Sequence, residues 1–160
     1  MMRKILFLFL CNLILFSIYG QNTKDTSRIA KNTLHLELLG NAGVSSFNYD
    51  RILLSKNKFK ISGRIGISLD FLENGSYPIE FNFLFGKKNN LETGIGYTFI
   101  VYSIEDIIHD SPFVYSLGYR FQKPNGGFFF KTALVLFIFE PKMYSKKNAL
   151  SMGLAFGYTF

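Results

Sequence analysis

The chain has 160 residues, of which 48% are hydrophobic and 18% aromatic, and its formal net charge is +7. This length accommodates one domain with a core, or one small barrel. The basic balance does not indicate a nucleic-acid partner, because no run of Lys and Arg with interleaved aromatic residues occurs. The abundance of Phe (19), Tyr (9) and Gly (14), with only 4 Pro, favours β-strands.

The N-terminus has the pattern of a secretory signal peptide. The basic start MMRK precedes an apolar segment over 5–18, and a cleavage position follows at Gly20. The apolar segment is short for a membrane-spanning helix, so we predict a cleaved signal peptide over 1–20 and a polar leader over 21–32. The only cysteine, Cys11, leaves with the signal peptide, so the mature chain is expected to have no disulfide and no cysteine metal site.

Beyond the leader, bulky apolar residues alternate with small or polar ones. In one segment, Tyr77, Ile79 and Phe81 alternate with Glu80 and Asn82. A period of two, repeated along the chain, predicts β-strands. The segments with this pattern are 59–71, 77–86, 91–103, 113–122, 127–139 and the final SMGLAFGYTF, 151–160.

The connections between these segments alternate in length. Short polar turns at one end and longer loops at the other are typical of a membrane barrel threaded as hairpins. The short turns are 55–58, 87–90 and 123–126, and the longer connections, predicted to face outward, are 72–76, 104–111 and 140–148.

The region 33–54 decides the strand count. An even count places both termini on the short-turn side, and it requires two strands, 33–40 and 44–54, joined by the turn Asn41-Ala42-Gly43. The count is then eight. The alternative is one long, bulged strand over the whole region.

The two faces of the predicted strands differ in bulk. Phe, Tyr, Ile and Leu occupy one face, whereas Gly, Ala, Ser and scattered charges occupy the other and suit a narrow eight-stranded interior. Exposed to water, the aromatic face would exceed the apolar area that soluble monomers tolerate, whereas lipid is an apolar environment that suits it. Closure of the sheet into a barrel also leaves no unpaired strand edge in the lipid. We therefore predict an all-β fold, an eight-stranded antiparallel up-and-down transmembrane β-barrel over 33–160. The alternative is a soluble periplasmic lipocalin-like ligand-binding barrel.

The predicted interior collects charged residues of both signs. They either form an ion path or pair with one another and fill the lumen; we favour pairing, because an unpaired buried charge is costly and eight strands enclose little free space. The predicted lumenal charge network is Glu37, Asp50, Arg64, Asp70, Glu80, Glu92, Arg120 and Lys131.

The last strand, SMGLAFGYTF, alternates apolar residues and ends in an aromatic residue. Phe156, Tyr158 and Phe160 in this pattern resemble the C-terminal assembly signal of bacterial outer-membrane β-barrels. With the signal peptide and the hairpin spacing, the mature chain resembles small eight-stranded barrels such as the OmpA transmembrane domain and OmpX. The resemblance implies an outer-membrane location in contact with lipid. It also implies periplasmic chaperones and the barrel assembly machinery as partners during biogenesis.

Two sets of residues suggest chemistry. His35 and Glu37 lie on one face of the first strand, where a carboxylate–imidazole pair is feasible. His109 lies near Ser111 and several acids in the 104–111 connection, and some eight-stranded outer-membrane barrels act on lipid A. No positioned serine motif accompanies them, and the acids lack the regular spacing of a calcium loop.

The sequence therefore predicts an integral outer-membrane protein with a structural or surface-interaction role. We expect no catalytic residues, no metal and no cofactor. The alternative within the membrane is a lipid-modifying enzyme that resembles lipid A acyl hydrolases.

Overall fold

The computed structural model describes residues 29–69, 75–101, 111–139 and 148–160. The predicted signal peptide, most of the leader, Asp70, His109 and the greater part of the long connections lie outside these ranges. Within them, no helix is long and apolar enough to cross a membrane. The described residues form eight strands: β1 (Asn32–Leu38), β2 (Ser45–Lys56), β3 (Phe59–Ser68), β4 (Gly75–Gly86), β5 (Asn89–Val101), β6 (Phe113–Gln122), β7 (Gly127–Ile138) and β8 (Ala149–Thr159).

The strands form one closed barrel in chain order. Each strand pairs antiparallel with the next, and β8 closes the sheet by pairing with β1. The region 33–54 forms two strands, with Leu38 of β1 opposite Ser45 of β2. The predicted fold class is confirmed, and the alternative of one long, bulged strand is wrong. β1 begins at Asn32, one residue before the predicted boundary.

Side chains alternate between the two faces of the barrel wall. The bulky apolar residues lie outside, as the alternation predicted, where hydrocarbon is the matching solvent. On β8, for example, Met152, Leu154, Phe156 and Tyr158 are exposed, whereas Ala155 between them is fully buried. This is the orientation of a membrane barrel and the inverse of a lipocalin-like one.

Three short turns define one end of the barrel, which we call the short-turn rim. Asn57–Lys58 joins β2 to β3, Lys87–Lys88 joins β4 to β5, and 123–126 joins β6 to β7. Asn57 has a φ of 53°, a left-handed conformation that Asn tolerates and that two-residue hairpins require. Both termini of the barrel lie at the same rim, where Phe160 and Asn32 exchange backbone hydrogen bonds. The opposite end is the long-connection rim.

The seam between β1 and β8 has the fewest paired residues of any two neighbouring strands in the sheet. Six residue pairs join the two strands, from Thr33 opposite Thr159 to Leu38 opposite Leu154. Gly157 permits their close approach, because a Cβ atom there would lie 2.1 Å from the carbonyl oxygen of Leu34. Backbone atoms cannot yield as a flexible side chain can, so closure depends on this glycine.

We expect Gly157→Ala to destabilise the folded barrel by about 1–3 kcal/mol, the usual cost of overpacking. The measurement is the heat-denaturation midpoint, read from the gel mobility of the folded and unfolded forms in detergent. Gly63→Ala is the matched control, because the nearest atom to its Cβ is Leu53 Cδ1 at 3.4 Å, an ordinary contact. Equal midpoints for the two variants would contradict the role of Gly157.

Candidate functional site in the barrel lumen

The inward faces of the strands bring the predicted charges together. Seven of the eight predicted residues are described, and each is no more than 2% exposed. The eighth, Asp70, lies outside the described residues. These seven charges form one connected set that we call the lumenal network: Glu37, Asp50, Arg64, Glu80, Glu92, Arg120 and Lys131.

Arg120 anchors one half of the lumenal network. Its guanidinium, on β6, donates two hydrogen bonds to Asp50 on β2, of 3.0 Å to Oδ2 and 2.6 Å to Oδ1. The same Nη1 lies 3.3 Å from Glu92 Oε2 on β5, and Nε donates to Gln122 Oε1 at 3.1 Å. Ser62 donates a further hydrogen bond to Asp50 Oδ2. This forked pairing fixes the planes of both charged groups.

Arg64 anchors the other half. From β3 its Nη1 donates to Glu37 Oε1 on β1 at 3.0 Å, and its Nη2 lies 2.8 Å from Glu80 Oε2 on β4. Ser116 of β6 donates to the other oxygen of Glu80 at 2.6 Å. Arg64 therefore joins strands on either side of its own, and Glu80 reaches across to β6.

Lys131 of β7 connects the two halves. Its Nζ contacts Glu92 Oε1 at 2.5 Å and lies 3.8 Å from Glu80 Oε2. The amide of Asn82 lies between the same two carboxylates, and with its nitrogen directed at them it donates at 3.0 Å to Glu80 and 3.1 Å to Glu92. The ion pairs thus run without a break from Glu37 to Asp50 and involve seven of the eight strands.

β8 contributes no charge to this network. At the level of the network its inward residues are Gly153, Ala155 and Gly157, which leave room for the long side chains that reach in from the other strands. This division explains the pattern of SMGLAFGYTF, in which small residues alternate with large ones. The charged side chains of the network occupy the space beside these small residues.

Sequence reasoning missed the aromatic residue in the lumen. Phe129 of β7 is fully buried, with the Arg120 guanidinium 5.0 Å from its ring centroid and the His35 ring 4.9 Å away. β7 is apolar on both faces, so its alternation is weak. Phe128 and Phe130 fall on the face opposite Lys131, and Phe129, two residues before Lys131, shares the inward face with it.

The feasible pair between His35 and Glu37 is not formed. Both residues point into the lumen, but Glu37 binds Arg64, and the two ring nitrogens of His35 have no hydrogen-bond partner among the described residues. The arginine is the stronger partner, because it carries a permanent charge and can donate to two carboxylates at once.

The connection between β1 and β2 also enters the lumen, which the sequence did not reveal. We call residues 39–44 the inner turn. Asn41 is 2% exposed, and its carbonyl accepts a hydrogen bond of 2.8 Å from Thr98 on β5, across the barrel. The carbonyl of Leu39 accepts one of 2.7 Å from Ser151 on β8. A Cβ at Gly40 would collide with Glu37, so glycine is needed where the turn lies on the network.

Polar side chains also fill the short-turn end of the lumen. Thr33 and Thr159 face each other at 3.0 Å across the β1–β8 seam, and Gln122 donates to Thr33. Lys60 donates to the carbonyls of Gly86 and Lys87 in the β4–β5 turn. The lumenal network therefore lies between two further polar layers, one at each end.

The described residues offer little for catalysis or metal binding. No group of three or more His, Cys, Asp or Glu side chains among them is arranged to hold a metal ion. Ser111, two residues before β6 begins, uses its hydroxyl oxygen to accept a hydrogen bond of 3.0 Å from the amide of Ile100 on β5. Its suggested partner, His109, lies outside the described ranges.

We expect Arg120→Leu to destabilise the barrel by about 3–5 kcal/mol, because it leaves Asp50 as an unpaired buried carboxylate. The double variant Arg120→Leu, Asp50→Asn is expected to regain part of this loss. The measurement is urea unfolding of the barrel in lipid vesicles. Arg51→Leu is the control, since Arg51 is exposed and such changes cost about 0.5 kcal/mol or less. Additive losses for Arg120 and Asp50 would contradict the pairing.

Comparison with known proteins gives one structural match. No family model and no curated protein matches the chain. Among solved structures, the chain is similar to the N-terminal β-barrel domain of Pseudomonas aeruginosa OprF, with a TM-score of 0.52 and 13% sequence identity. The match covers 82% of this chain and 99% of that one. At this identity the likeness concerns the fold, and it confirms the predicted architectural resemblance to small eight-stranded outer-membrane barrels.

Proposed function

We propose that the protein is an integral outer-membrane barrel with a structural or surface-interaction role and a lumen closed by its own side chains. The observation that carries the proposal is the continuous lumenal network, which spans the lumen. Arg120 of β6 meets Asp50 of β2 on the opposite wall, and Lys131 of β7 meets Glu92 of β5, two strands away. Opening a path along the axis requires these buried pairs to separate, at a cost of several kcal/mol for each charge left buried without its partner.

The inner turn supports the same function. It covers the network from the side of the long-connection rim, and hydrogen bonds from Ser151 and Thr98 hold it at Leu39 and at Asn41. An eight-stranded barrel is narrow enough for side chains to fill. A filled, internally bonded barrel serves as a rigid support for whatever its outer connections contact.

The outer-membrane location rests on three features. The first is the predicted signal peptide over 1–20, the second the apolar outer face, and the third the terminal strand. Phe156 and Tyr158 are exposed on the lipid face of β8, and Phe160 follows at the short-turn rim. These residues are the ones we propose the barrel assembly machinery reads, after periplasmic chaperones have delivered the unfolded chain.

We expect the purified barrel in planar lipid bilayers to show no sustained conductance steps in 1 M KCl. A variant with Arg64, Arg120 and Lys131 all changed to Ala removes the cations that hold the carboxylates in place, and we expect it to conduct. Circular dichroism of the variant in detergent checks that the barrel still forms. Large, steady steps from the unaltered protein would contradict the closed lumen.

Analysis of lipid A distinguishes the proposed role from the enzymatic alternative. We expect the lipid A mass profile of cells to be the same with and without the gene, because the hydroxyl of Ser111 is engaged with the backbone of β5. Mass spectrometry of extracted lipid A makes the comparison. A mass change that disappears in His109→Ala or Ser111→Ala cells would establish the enzyme instead.

A further inference from the structure

The charges outside the lumen that the structure describes lie at one end of the barrel. The described basic residues outside the lumen all lie at the short-turn rim, and no Asp or Glu among the described residues accompanies them. We call this set the basic ring: Lys31, Arg51, Lys56, Lys58, Lys87, Lys88 and Lys123.

The acidic residues occupy the lumen and other parts of the sequence. The four described carboxylates, Glu37, Asp50, Glu80 and Glu92, are buried in the lumen. Every remaining Asp and Glu after β1 falls in the sequence between β3 and β4, β5 and β6, or β7 and β8, the connections of the long-connection rim: Asp70, Glu73, Glu105, Asp106, Asp110 and Glu140. The sequence of the same connections contains three Lys residues and no Arg.

The basic ring surrounds the barrel on all sides. Lys31 precedes β1, Lys58 lies between β2 and β3, Lys87 and Lys88 between β4 and β5, and Lys123 between β6 and β7. Each hairpin connection of this rim therefore carries positive charge. A partner on one side of the barrel could meet only part of such a ring, whereas a lipid leaflet encircles the barrel and meets all of it.

The basic ring borders the apolar outer surface directly. Lys88 Nζ lies 5.0 Å from the ring centroid of Phe121, and the hydroxyl of Tyr119 donates to Asn89 beside the same turn. Aromatic residues with polar contacts of this kind mark the level of lipid headgroups, and lysines reach from there towards phosphate.

The lumen holds one of these turns from within. Lys60 donates to the carbonyl of Lys87, and Asn90 donates to that of Lys88, so the turn backbone is fixed by buried side chains. The side chains of Lys87 and Lys88 are exposed on the other side of it. The charges of Lys87 and Lys88 therefore point outward from a turn whose backbone is held by hydrogen bonds.

We propose that the basic ring binds the anionic phospholipid headgroups of the leaflet at the short-turn rim and so fixes the depth and orientation of the barrel in the membrane. A basic residue near an anionic leaflet contributes about 1 kcal/mol, which corresponds to about a fivefold preference for anionic over zwitterionic lipid at one site.

The absence of Trp from the sequence permits a local test. Phe128→Trp places a reporter on the lipid face close to the basic ring, and Leu150→Trp places one at the other end. The folded chain is reconstituted in phosphatidylcholine vesicles containing brominated phosphatidylglycerol or brominated phosphatidylcholine. We expect phosphatidylglycerol to quench the reporter at 128 with about fivefold higher affinity, and the reporter at 150 with no preference.

Matched variants identify the charges responsible. Changing Lys58, Lys87, Lys88 and Lys123 to Gln is expected to abolish the preference at 128, whereas changing the same four to Arg is expected to preserve it. Gel mobility confirms that both variants fold. Equal quenching by the two lipids, or an unchanged preference in the Gln variant, would overturn the proposal. Binding to isolated peptidoglycan that is lost in the Gln variant, without any lipid preference, would also overturn it and assign the ring to the cell wall.

Discussion

Closure of the sheet by β1 and β8 is the constraint on which the rest of the structure depends. In hydrocarbon an open strand edge leaves backbone N–H and C=O groups without partners, at a cost of several kcal/mol each. The seam of six residue pairs removes that cost. It also fixes the circumference at eight strands, and the circumference sets the width of the lumen. How many charges can meet inside, and how closely, follows from the width.

A narrow lumen makes the choice of inward side chains strict. Long charged residues need to extend across the axis to reach their partners, so another part of the wall has to be small. β8 supplies this small wall with Gly153, Ala155 and Gly157, while Arg64 and Arg120 extend from strands elsewhere. The same glycine that lets β1 approach β8, Gly157, therefore also serves the interior. β8 thus contributes both to the packing of the lumen and to the closure of the wall.

Much of this architecture can be predicted from the sequence because alternate residues of a membrane barrel strand face two different environments, lipid outside and the polar lumen inside. The alternation located the strands, and the charges on the small face indicated which residues share the lumen. The pairing among them was not predictable, since Arg120 and Asp50 lie on strands that are far apart around the wall, and their relative height depends on the stagger of every strand between. Both faces of β7 are apolar, so only Lys131, two residues after Phe129, indicates from the sequence that Phe129 points inward.

The inner turn was the least predictable part. Asn41-Ala42-Gly43 has the composition of an ordinary exposed turn. What sends it inward is the left-handed conformation of Leu39, with φ of 55°, and the hydrogen bonds from Thr98 and Ser151, which are distant in sequence. A leucine in that conformation carries no sequence signal. The long-range contacts over-determine a backbone geometry that local preference disfavours.

The inward course of this turn makes the first hairpin a poor site for the insertion of a foreign peptide. Inserting an epitope between β1 and β2 displaces Asn41 from Thr98 and adds bulk where Gly40 already touches Glu37. An engineer who wishes to display a sequence on this scaffold would leave the first hairpin unaltered.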